Sequence, residues 1–534
     1  MGVIGTNAVL IRAVGAIVVF FVARFLYRGY VQRSRVRALK AQGIPVLPHS
    51  LLFGHLSVLG DWRADNPSDA NFYTFHTWLI KNCKRYFPDL DFPPPVVYLD
   101  IWPIDVSFAI VFDPITASQF AQAPSLPKMS LVREFLDPFT AGRDMVSSEG
   151  KEWKTWRSRF SHGFSQRNLL AMLPELIEEV SIFVSQLGEL AGTGGEWGPV
   201  FQLEEKTTNL TFDIICRATL GMRLNEQLRA ESSPLKFALL DQIRVMNHGT
   251  NAARALPLGR MPWHKAAARR NNNMLRDFMM PQIQSKLKST SNDSQVKTIL
   301  DLAIRYIDKD DPNGSRETPN AEYIETLIAN LKIFGHDTTA STVCFMLKRM
   351  QDHPDCLAKV RAEHDAVLGP DPDKVVDVLA QSPHLLYSLP YTLSVIKETL
   401  RLHPLAATLR ESTPGFSLTA PGSSMRYPTD GWGLWVVRSR CLATPRLLAA
   451  ADEFIPGAMD GARGRHHAPA LIELRIISVL VARRFDIEEA WDKWDALQGS
   501  KVNPNDRING ERLYAAGNGI VHPKDGMPVH VVLA

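Results

Sequence analysis

The chain has 534 residues, of which 45% are hydrophobic and 22% are charged, a composition typical of globular proteins. It contains no internal repeat and no long low-complexity tract. The five cysteines are scattered without a Cys-x-x-Cys pair, which argues against a disulfide framework and against a zinc site, so we predict no metal-ligand cluster. They are Cys83, Cys216, Cys344, Cys356 and Cys441.

The positive charge of the chain is concentrated at its N-terminus. The net charge is +4, yet the first 60 residues carry seven basic side chains and no acid, and the first acidic residue is Asp61. The remaining chain is therefore slightly acidic. For this reason we predict no nucleic-acid partner.

Residues 3–27 are apolar apart from Arg12 and Arg24. A bilayer span takes about 20 residues, so this stretch is long enough. Arg12 opposes insertion by about 2.5–3.5 kcal/mol, but residues 14–23 are strongly apolar. With no obvious cleavage site, we predict a membrane anchor over residues 1–28. The alternative is a buried N-terminal helix.

A basic stem and a proline-punctuated hinge are predicted over residues 29–56. The basic side chains after the apolar stretch place the body of the protein on the cytosolic side by the positive-inside rule. Pro45 and Pro48 stiffen the second half of this segment because proline fixes φ.

Two β-rich runs separated by Pro103 and Asp105 predict strands within residues 96–112. Farther along, Trp153 and Arg157 are four residues apart in a helical pattern and so share one face. A planar guanidinium at this position could pair with a carboxylate. The alternative is a packing pair whose charge is solvated.

Residues 331–343 read LKIFGHDTTASTV inside an apolar helical stretch. A mid-helix glycine such as Gly335 costs about 1 kcal/mol relative to alanine. Thr338 and Thr339 can hydrogen-bond back to helix carbonyls and bend the helix, and Asp337 brings a charge into apolar surroundings. Such departures from local rules tend to mark functional sites. The alternative is a polar kink in a structural helix.

Residues 391–404 read YTLSVIKETLRLHP. Glu398 and Arg401 are three residues apart, so they share a helical face and can bond. An isolated Glu-x-x-Arg pair is a weak signal because exposed pairs contribute little. The whole block, about 60 residues after the Gly335 motif, is far more specific.

In this order, the three motifs resemble those of cytochrome P450 monooxygenases, particularly fungal members of secondary metabolism, and the match covers nearly the whole chain. The resemblance implies a mainly α fold with a smaller β region and one N-terminal transmembrane helix. It implies one catalytic domain over residues 57–534. It also implies a haem cofactor. Phe334 is a first departure, since the family has alanine or glycine there.

The resemblance also assigns roles to individual residues. Asp337 would be the proton source and Thr338 the relay hydroxyl, next to the glycine that gives dioxygen room over the haem. A structural pair would lock the core behind the haem. The implied haem-contacting residues are Trp153, Arg157, Gly335 and Arg410, and the structural pair is Glu398 and Arg401.

The function implied by the resemblance is oxidation of a lipophilic small molecule. The implied partner is NADPH-cytochrome P450 reductase. The implied location is the endoplasmic reticulum membrane, crossed once, with the catalytic domain in the cytosol.

The chain departs from the family over residues 456–470. The family continues after a segment such as 453–456 with Glu-Arg-Phe or Glu-Arg-Trp, but here Gly457 and Ala458 follow. The loop Phe-x-x-Gly-x-x-x-Cys-x-Gly is missing, and the family spacing counted back from Glu473 falls on Gly464. That cysteine matters because a thiolate ligand favours O–O cleavage at the iron.

Three explanations of this departure stay open. Cys441 could replace the missing ligand, or His466 or His467 could ligate haem through imidazole. Alternatively, the segments around Cys441 and over residues 457–469 are out of step with the ancestral reading frame. The rival function is therefore a membrane-anchored P450-like protein without haem or catalysis. A hydrolase lacks support, since no Gly-x-Ser-x-Gly or His-Glu-x-x-His motif occurs.

Overall fold

The computed structural model describes residues 2–122, 124–247, 261–288, 297–305, 307, 319–333, 337–436, 453–457, 469–499, 503, 506–517 and 520–534. The chain divides into two compact units. The first unit combines residues 1–65, 78–127 and 408–436, and the second combines residues 66–77, 128–407 and 437–534.

Helices dominate the described residues. In chain order they are α1 (Gly2–Ala41), α2 (Leu56–Ala64), α3 (Thr74–Lys81), α4 (Cys83–Tyr86), α5 (Pro114–Ala121), α6 (Ser130–Thr140), α7 (Gly150–Ser161), α8 (Gln166–Ala171), α9 (Leu173–Leu190), α10 (Leu203–Leu220), α11 (Pro234–Asn247), α12 (Pro262–Lys288), α13 (Ile299–Ala303), α14 (Ala321–Lys332), α15 (Asp337–Gln351), α16 (Pro354–Leu368), α17 (Val375–Gln381), α18 (Pro390–Leu402), α19 (Pro469–Val481) and α20 (Trp491–Gln498).

The strands are short and few by comparison. They are β1 (Val96–Leu99), β2 (Phe108–Val111), β3 (Ala191–Gly192), β4 (Phe201–Gln202), β5 (Thr408–Glu411), β6 (Ser417–Thr419), β7 (Arg426–Pro428), β8 (Gly433–Val436), β9 (Phe485–Glu489), β10 (Ala515–Ala516), β11 (His522–Pro523) and β12 (Pro528–Leu533). The prediction of a mainly helical fold with a smaller β region is confirmed.

The first unit is built on a four-stranded sheet in the order β1-β2-β8-β5. Strands β1 and β2 are antiparallel, and β2 runs parallel to β8. Every residue of β1, β2 and β8 is buried, which explains their continuous apolar sequences. The strands predicted within residues 96–112 are thus confirmed. A β6–β7 hairpin completes the β structure described in this unit.

Helix α1 enters the first unit at its C-terminal end. The segment Arg12–Ala41 is long and apolar enough to cross a membrane by length and composition, and only 6% of its most apolar window is buried. Farther along the same helix, Val36 and Leu39 are buried in the unit. The segment after α1 also packs inward, since Ile44 and Leu47 are buried.

The second unit has a helical core with a small sheet at its edge. Strand β12 pairs with β9, β3 and β4, so the last strand of the chain holds this sheet together. Helices α9, α10, α14, α15 and α19 contribute buried apolar faces to one continuous cluster. Helix α15 is buried on nearly all sides, and it packs against α10, α18 and α19. It is therefore the central helix of this unit.

Candidate active site

Helix α15 begins at Asp337, which is buried with 7% of its surface exposed. An acid in the first turn is favoured by the partial positive charge of the helix N-terminus. Thr338 is exposed, whereas Thr339 is buried. Phe334, Gly335 and His336 lie outside the described residues, so the place of Gly335 stays a prediction.

Two ionisable side chains from other elements lie beside α15. The Oε1 atom of Glu204, at the start of α10, lies 2.7 Å from the Nδ1 atom of His522. The hydroxyl of Ser341 on α15 donates to the carbonyl of Val521 at 3.1 Å and reaches the same Glu204 oxygen at 3.4 Å. Three separated parts of the chain thus meet at one polar cluster.

The charge of Asp337 acts on its surroundings. Burial would lower the pKa of His522, but the Glu204 carboxylate and, more weakly, Asp337 outweigh burial and raise that pKa above its usual value. Burial lowers the pKa of Lys236 on α11, and nearby acids, including Asp337, offset this in part. Asp337 therefore lies within electrostatic reach of two basic groups.

Glu473 on α19 is a buried carboxyl group beside α15. Burial raises its pKa to about 7, although a hydrogen bond with Thr339 acts in the opposite direction. At neutral pH, this group is therefore partly a neutral acid and can donate a hydrogen bond. Thr339 and Glu473 together tie the start of α15 to α19.

Glu398 and Arg401 form a buried pair on α18. Arg401 Nε donates to Glu398 Oε2 at 2.9 Å, and its Nη2 donates to Glu398 Oε1 at 2.9 Å. Both side chains are at most 2% exposed. Two parallel bonds between a guanidinium and a carboxylate give strength and a fixed orientation.

Backbone groups of residues 453–457 complete this pair. Arg401 Nη2 donates to the carbonyl of Glu453 at 2.6 Å, and the N–H of Ile455 donates to Glu398 Oε1 at 2.8 Å. The family arginine that would follow this segment is replaced by Gly457 and Ala458. These two backbone contacts give both Arg401 and Glu398 a further hydrogen bond in the absence of that arginine.

Three of the predicted haem-contacting residues, Trp153, Arg157 and Arg410, are described by the structure, and they differ in burial. Trp153 is half-buried on α7, with Lys128 Nζ 5.5 Å from its ring centre, and Arg157 on the same helix is exposed. The buried arginine of α7 is Arg159, which lies over the Trp156 ring. Arg410 is half-buried on β5 in the first unit. Haem contact by these residues stays a prediction.

The described cysteines lie far in sequence from the position expected for a haem ligand. Cys83, Cys216, Cys344 and Cys356 are all buried, and each precedes residues 456–470, where the family's cysteine loop would fall. Burial raises the pKa of each thiol, but a metal ion deprotonates any thiol that it binds, so these pKa shifts do not select the ligand. Cys441, His466 and His467 lie outside the described residues.

Comparisons with known proteins agree on one family. A family model named Cytochrome P450 matches residues 105–416. The cytochrome P450 monooxygenase polC of Polytolypa hystricis is 31% identical over 538 residues, covering 96% of this chain and 93% of the relative. The monooxygenase acrF of Aspergillus aculeatus is 27% identical, covering 81% of this chain and 93% of its own. A crystal structure of a cytochrome P450 (CYP102L1) superposes with a TM-score of 0.65 at 17% identity, covering 87% of this chain and 99% of that one.

The chain belongs to the cytochrome P450 family. This is a family of haem-dependent oxidoreductases, and the full-length fungal relatives carry the name monooxygenase. The family resemblance drawn from the three sequence motifs is thus confirmed. The family-model match ends at residue 416, before the stretch in which the cysteine loop would fall.

Sequence reasoning used Glu473 only to count residues and did not single out Glu204 or His522. These residues are far from α15 in the sequence, so no local pattern indicates that they lie beside it in the fold. A hint was available for Glu473, since an acid in the apolar run of residues 469–482 is unusual in a buried helix.

Replacing Glu398 with alanine should destabilise the second unit strongly. Arg401 would remain buried without its carboxylate, at a cost of about 3–5 kcal/mol. Urea unfolding followed by circular dichroism measures the loss. Lys374→Ala is the control, because it breaks an exposed pair with Asp371 at the same three-residue spacing. Equal stability of the Glu398→Ala variant and the wild type would contradict the structural role.

The raised pKa of Glu473 predicts a pH dependence of stability. The folded state keeps a proton that the unfolded state releases between pH 4.5, the ordinary value, and about 7. Stability should therefore fall as pH rises through this window. Glutamine stays neutral at all of these pH values. The free energy of unfolding of Glu473→Gln, relative to that of the wild type, should therefore rise by on the order of 2–3 kcal/mol between pH 4.5 and pH 8. Urea unfolding of the variant and the wild type at both pH values measures this change. The same stability difference between the two proteins at pH 4.5 and at pH 8 would refute the prediction.

Proposed function

We propose that this protein is a haem-dependent monooxygenase that oxidises a lipophilic small molecule in fungal secondary metabolism. The observation that carries the proposal is the match with polC, which spans 96% of the chain and 93% of that monooxygenase. In this proposal, residues 57–534 form the catalytic domain behind an anchor at residues 1–28.

The placement of α15 supports a proton-handling role for Asp337 and Thr338. Asp337 is buried at the helix start, while Thr338 is exposed one residue later. We propose that the Asp337 carboxyl group supplies a proton and that the Thr338 hydroxyl passes it on. Glu204 and His522 connect this end of the helix to a partly exposed imidazole.

A small cavity lies between α10, α11, α12 and α14, and most of its lining is apolar. Its volume of about 30 Å³ is far below the roughly 300–1,000 Å³ of sites for small organic molecules. The lipophilic substrate is therefore proposed from the family and not from this cavity.

We propose NADPH-cytochrome P450 reductase as the electron donor and the endoplasmic reticulum membrane as the location. The exposed apolar part of α1 and the basic residues that follow it support a cytosolic orientation of the body. The eukaryotic relatives support the same partner class.

A second candidate function is a P450-like protein that binds no haem. It is favoured by one specific observation, the lack of a cysteine in residues 457–469, where the family's loop would fall. Cys441 is the cysteine nearest in sequence to the expected position at Gly464, so it is the thiolate ligand that we propose for the monooxygenase. The two candidates therefore differ in a measurable property of the purified protein.

The deciding measurement is the absorption spectrum of the full chain, reduced and exposed to carbon monoxide. The monooxygenase predicts a thiolate-type band that is lost in Cys441→Ser and kept in the control Cys83→Ser. A histidine-type band that disappears in His466→Ala or His467→Ala would exclude the usual oxygen insertion. Absence of bound haem would support the second candidate.

In a preparation that binds haem, Thr338→Ala should uncouple oxygen consumption from product formation, because the relay hydroxyl is lost. Thr338→Ser keeps a hydroxyl and should restore coupling, which makes it the matched control. Oxygen consumed per product formed measures the effect, and unchanged coupling in Thr338→Ala would refute the relay role.

A further inference from the structure

The small cavity between α10, α11, α12 and α14 is surrounded by buried apolar side chains. Leu239 on α11, Leu275 and Met279 on α12, and Leu331 on α14 belong to its wall. All four are buried. Leu275 and Met279 are four residues apart, so they share one face of α12. The cavity therefore belongs to the interior of the second unit.

The space is bordered on α10 by two small side chains. Cys216 and Thr219 are the smallest residues of the wall, and they lie between Phe212 and Leu220 on the same helix. Burial raises the pKa of the Cys216 thiol, so this group is neutral. Protein interiors are otherwise packed as densely as organic crystals, so a void of this kind is a local feature of the packing.

The more polar groups of the wall already have partners in the protein. The hydroxyl of Thr219 donates to the carbonyl of Ile215, one turn earlier in α10. Lys332 Nζ donates to Asn272 Oδ1 at 2.7 Å and to the carbonyl of Phe139 at 3.3 Å. Neither Asn272 nor Phe139 lines the cavity. The charge of Lys332 is thus bound outside the space that the apolar side chains enclose.

The size and polarity of the cavity fit a small apolar gas. Its volume is about 30 Å³, whereas a cavity needs about 10–15 Å³ to hold one water, so a molecule of two or three atoms has room. A buried water usually makes about three hydrogen bonds, but Thr219 and Lys332 are already engaged. Cavities with apolar walls stay dry and bind apolar molecules such as xenon.

The cavity borders the helices that position Asp337. Its wall includes Lys332, the last residue of α14, and Asp337 begins α15 five residues later. Another part of the wall is α10, which packs along α15, where Thr207 Oγ1 donates to the carbonyl of Ala340 at 3.4 Å. The cavity is therefore close in sequence to Gly335, the residue that by family resemblance gives dioxygen room.

We propose that this cavity holds dioxygen and supplies it to the active site. The gas is bound by packing contacts alone, without a covalent step. The identity of the gas rests on the proposed function, because a monooxygenase consumes dioxygen. The ability of the cavity to bind an apolar gas does not depend on haem. Leu239, Leu275 and Met279 are the residues assigned to contact the gas.

The test uses the methyl group of Met279 as a probe in the wall. The full chain is purified in detergent with isotope-labelled methionine methyl groups, and its Met279 resonance is assigned from Met279→Leu. Samples are equilibrated with oxygen or with nitrogen at the same pressure. Dissolved oxygen is paramagnetic, so it broadens the resonance of a methyl group that it contacts. Met346 and Met350 are internal controls, because both are buried and neither lines the cavity.

The expected result is an oxygen-dependent broadening at Met279 that exceeds the broadening at Met346 and Met350. Xenon has no unpaired electron, and it should shift the Met279 resonance of the wild type more than those of the two controls. Equal broadening of all three resonances would overturn the proposal. A Met279 resonance that xenon leaves unchanged would overturn it as well. Both measurements use the wild-type fold, so they do not depend on a variant that alters packing.

Variants link the effect to this cavity. Leu239→Phe enlarges a wall residue and should abolish the selective broadening, whereas Leu240→Phe, exposed on the same helix, should keep it. Thr219→Val has nearly the same shape without the hydroxyl, so it should keep both gas effects. Circular dichroism checks that each variant is folded. Wild-type broadening in Leu239→Phe, or loss of the gas effects in Thr219→Val, would contradict an apolar gas site.

The supply role is measured in a preparation that binds haem. Leu239→Phe should raise severalfold the oxygen concentration that gives half-maximal product formation, and Leu240→Phe should leave it unchanged. An unchanged oxygen dependence in Leu239→Phe would overturn the supply role. A chain that binds no haem would contradict the proposed function through its carbon monoxide spectrum. The gas measurements on that same chain would still decide whether the cavity binds an apolar gas.

Discussion

The buried pair of Glu398 and Arg401 is the interaction on which the second unit depends. Neither charge can be left alone in the interior, because an unpaired buried ion costs several kcal/mol. The pair therefore requires partners on both sides, and it finds them in the backbone at Glu453 and Ile455. In this way α18 holds a distant segment of the chain through backbone groups rather than through particular side chains.

This arrangement explains how the family scaffold persists where the family sequence is lost. The usual arginine after residues 453–456 is absent, but a carbonyl and an N–H do not depend on side-chain identity. By contrast, an axial thiolate depends on one side chain at one place, and residues 457–469 hold no cysteine. The scaffold thus tolerates sequence changes that the haem ligand does not.

Local rules were sufficient for the elements and for contacts along one helix. The three-residue spacing of Glu398 and Arg401 predicted their contact, and the β-rich runs predicted β1 and β2. The partners of Glu473 and Ser341 could not be predicted, because they come from distant parts of the chain. The exposure of Arg157 and the burial of Arg159 also depend on how α7 is rotated against its neighbours, which periodicity alone does not determine.

The packing of α1 has a consequence for where the chain can be cut. Residues 12–27 are exposed on α1, whereas Gly29, Arg33 and Val36 are buried in the first unit. A Cβ atom on Gly29 would lie 2.6 Å from the Trp102 ring, and Arg33 forms a salt bridge with Asp100. A water-soluble version of this protein would therefore have to begin just before Gly29, since a start after residue 41 would leave the buried Asp100 without its arginine.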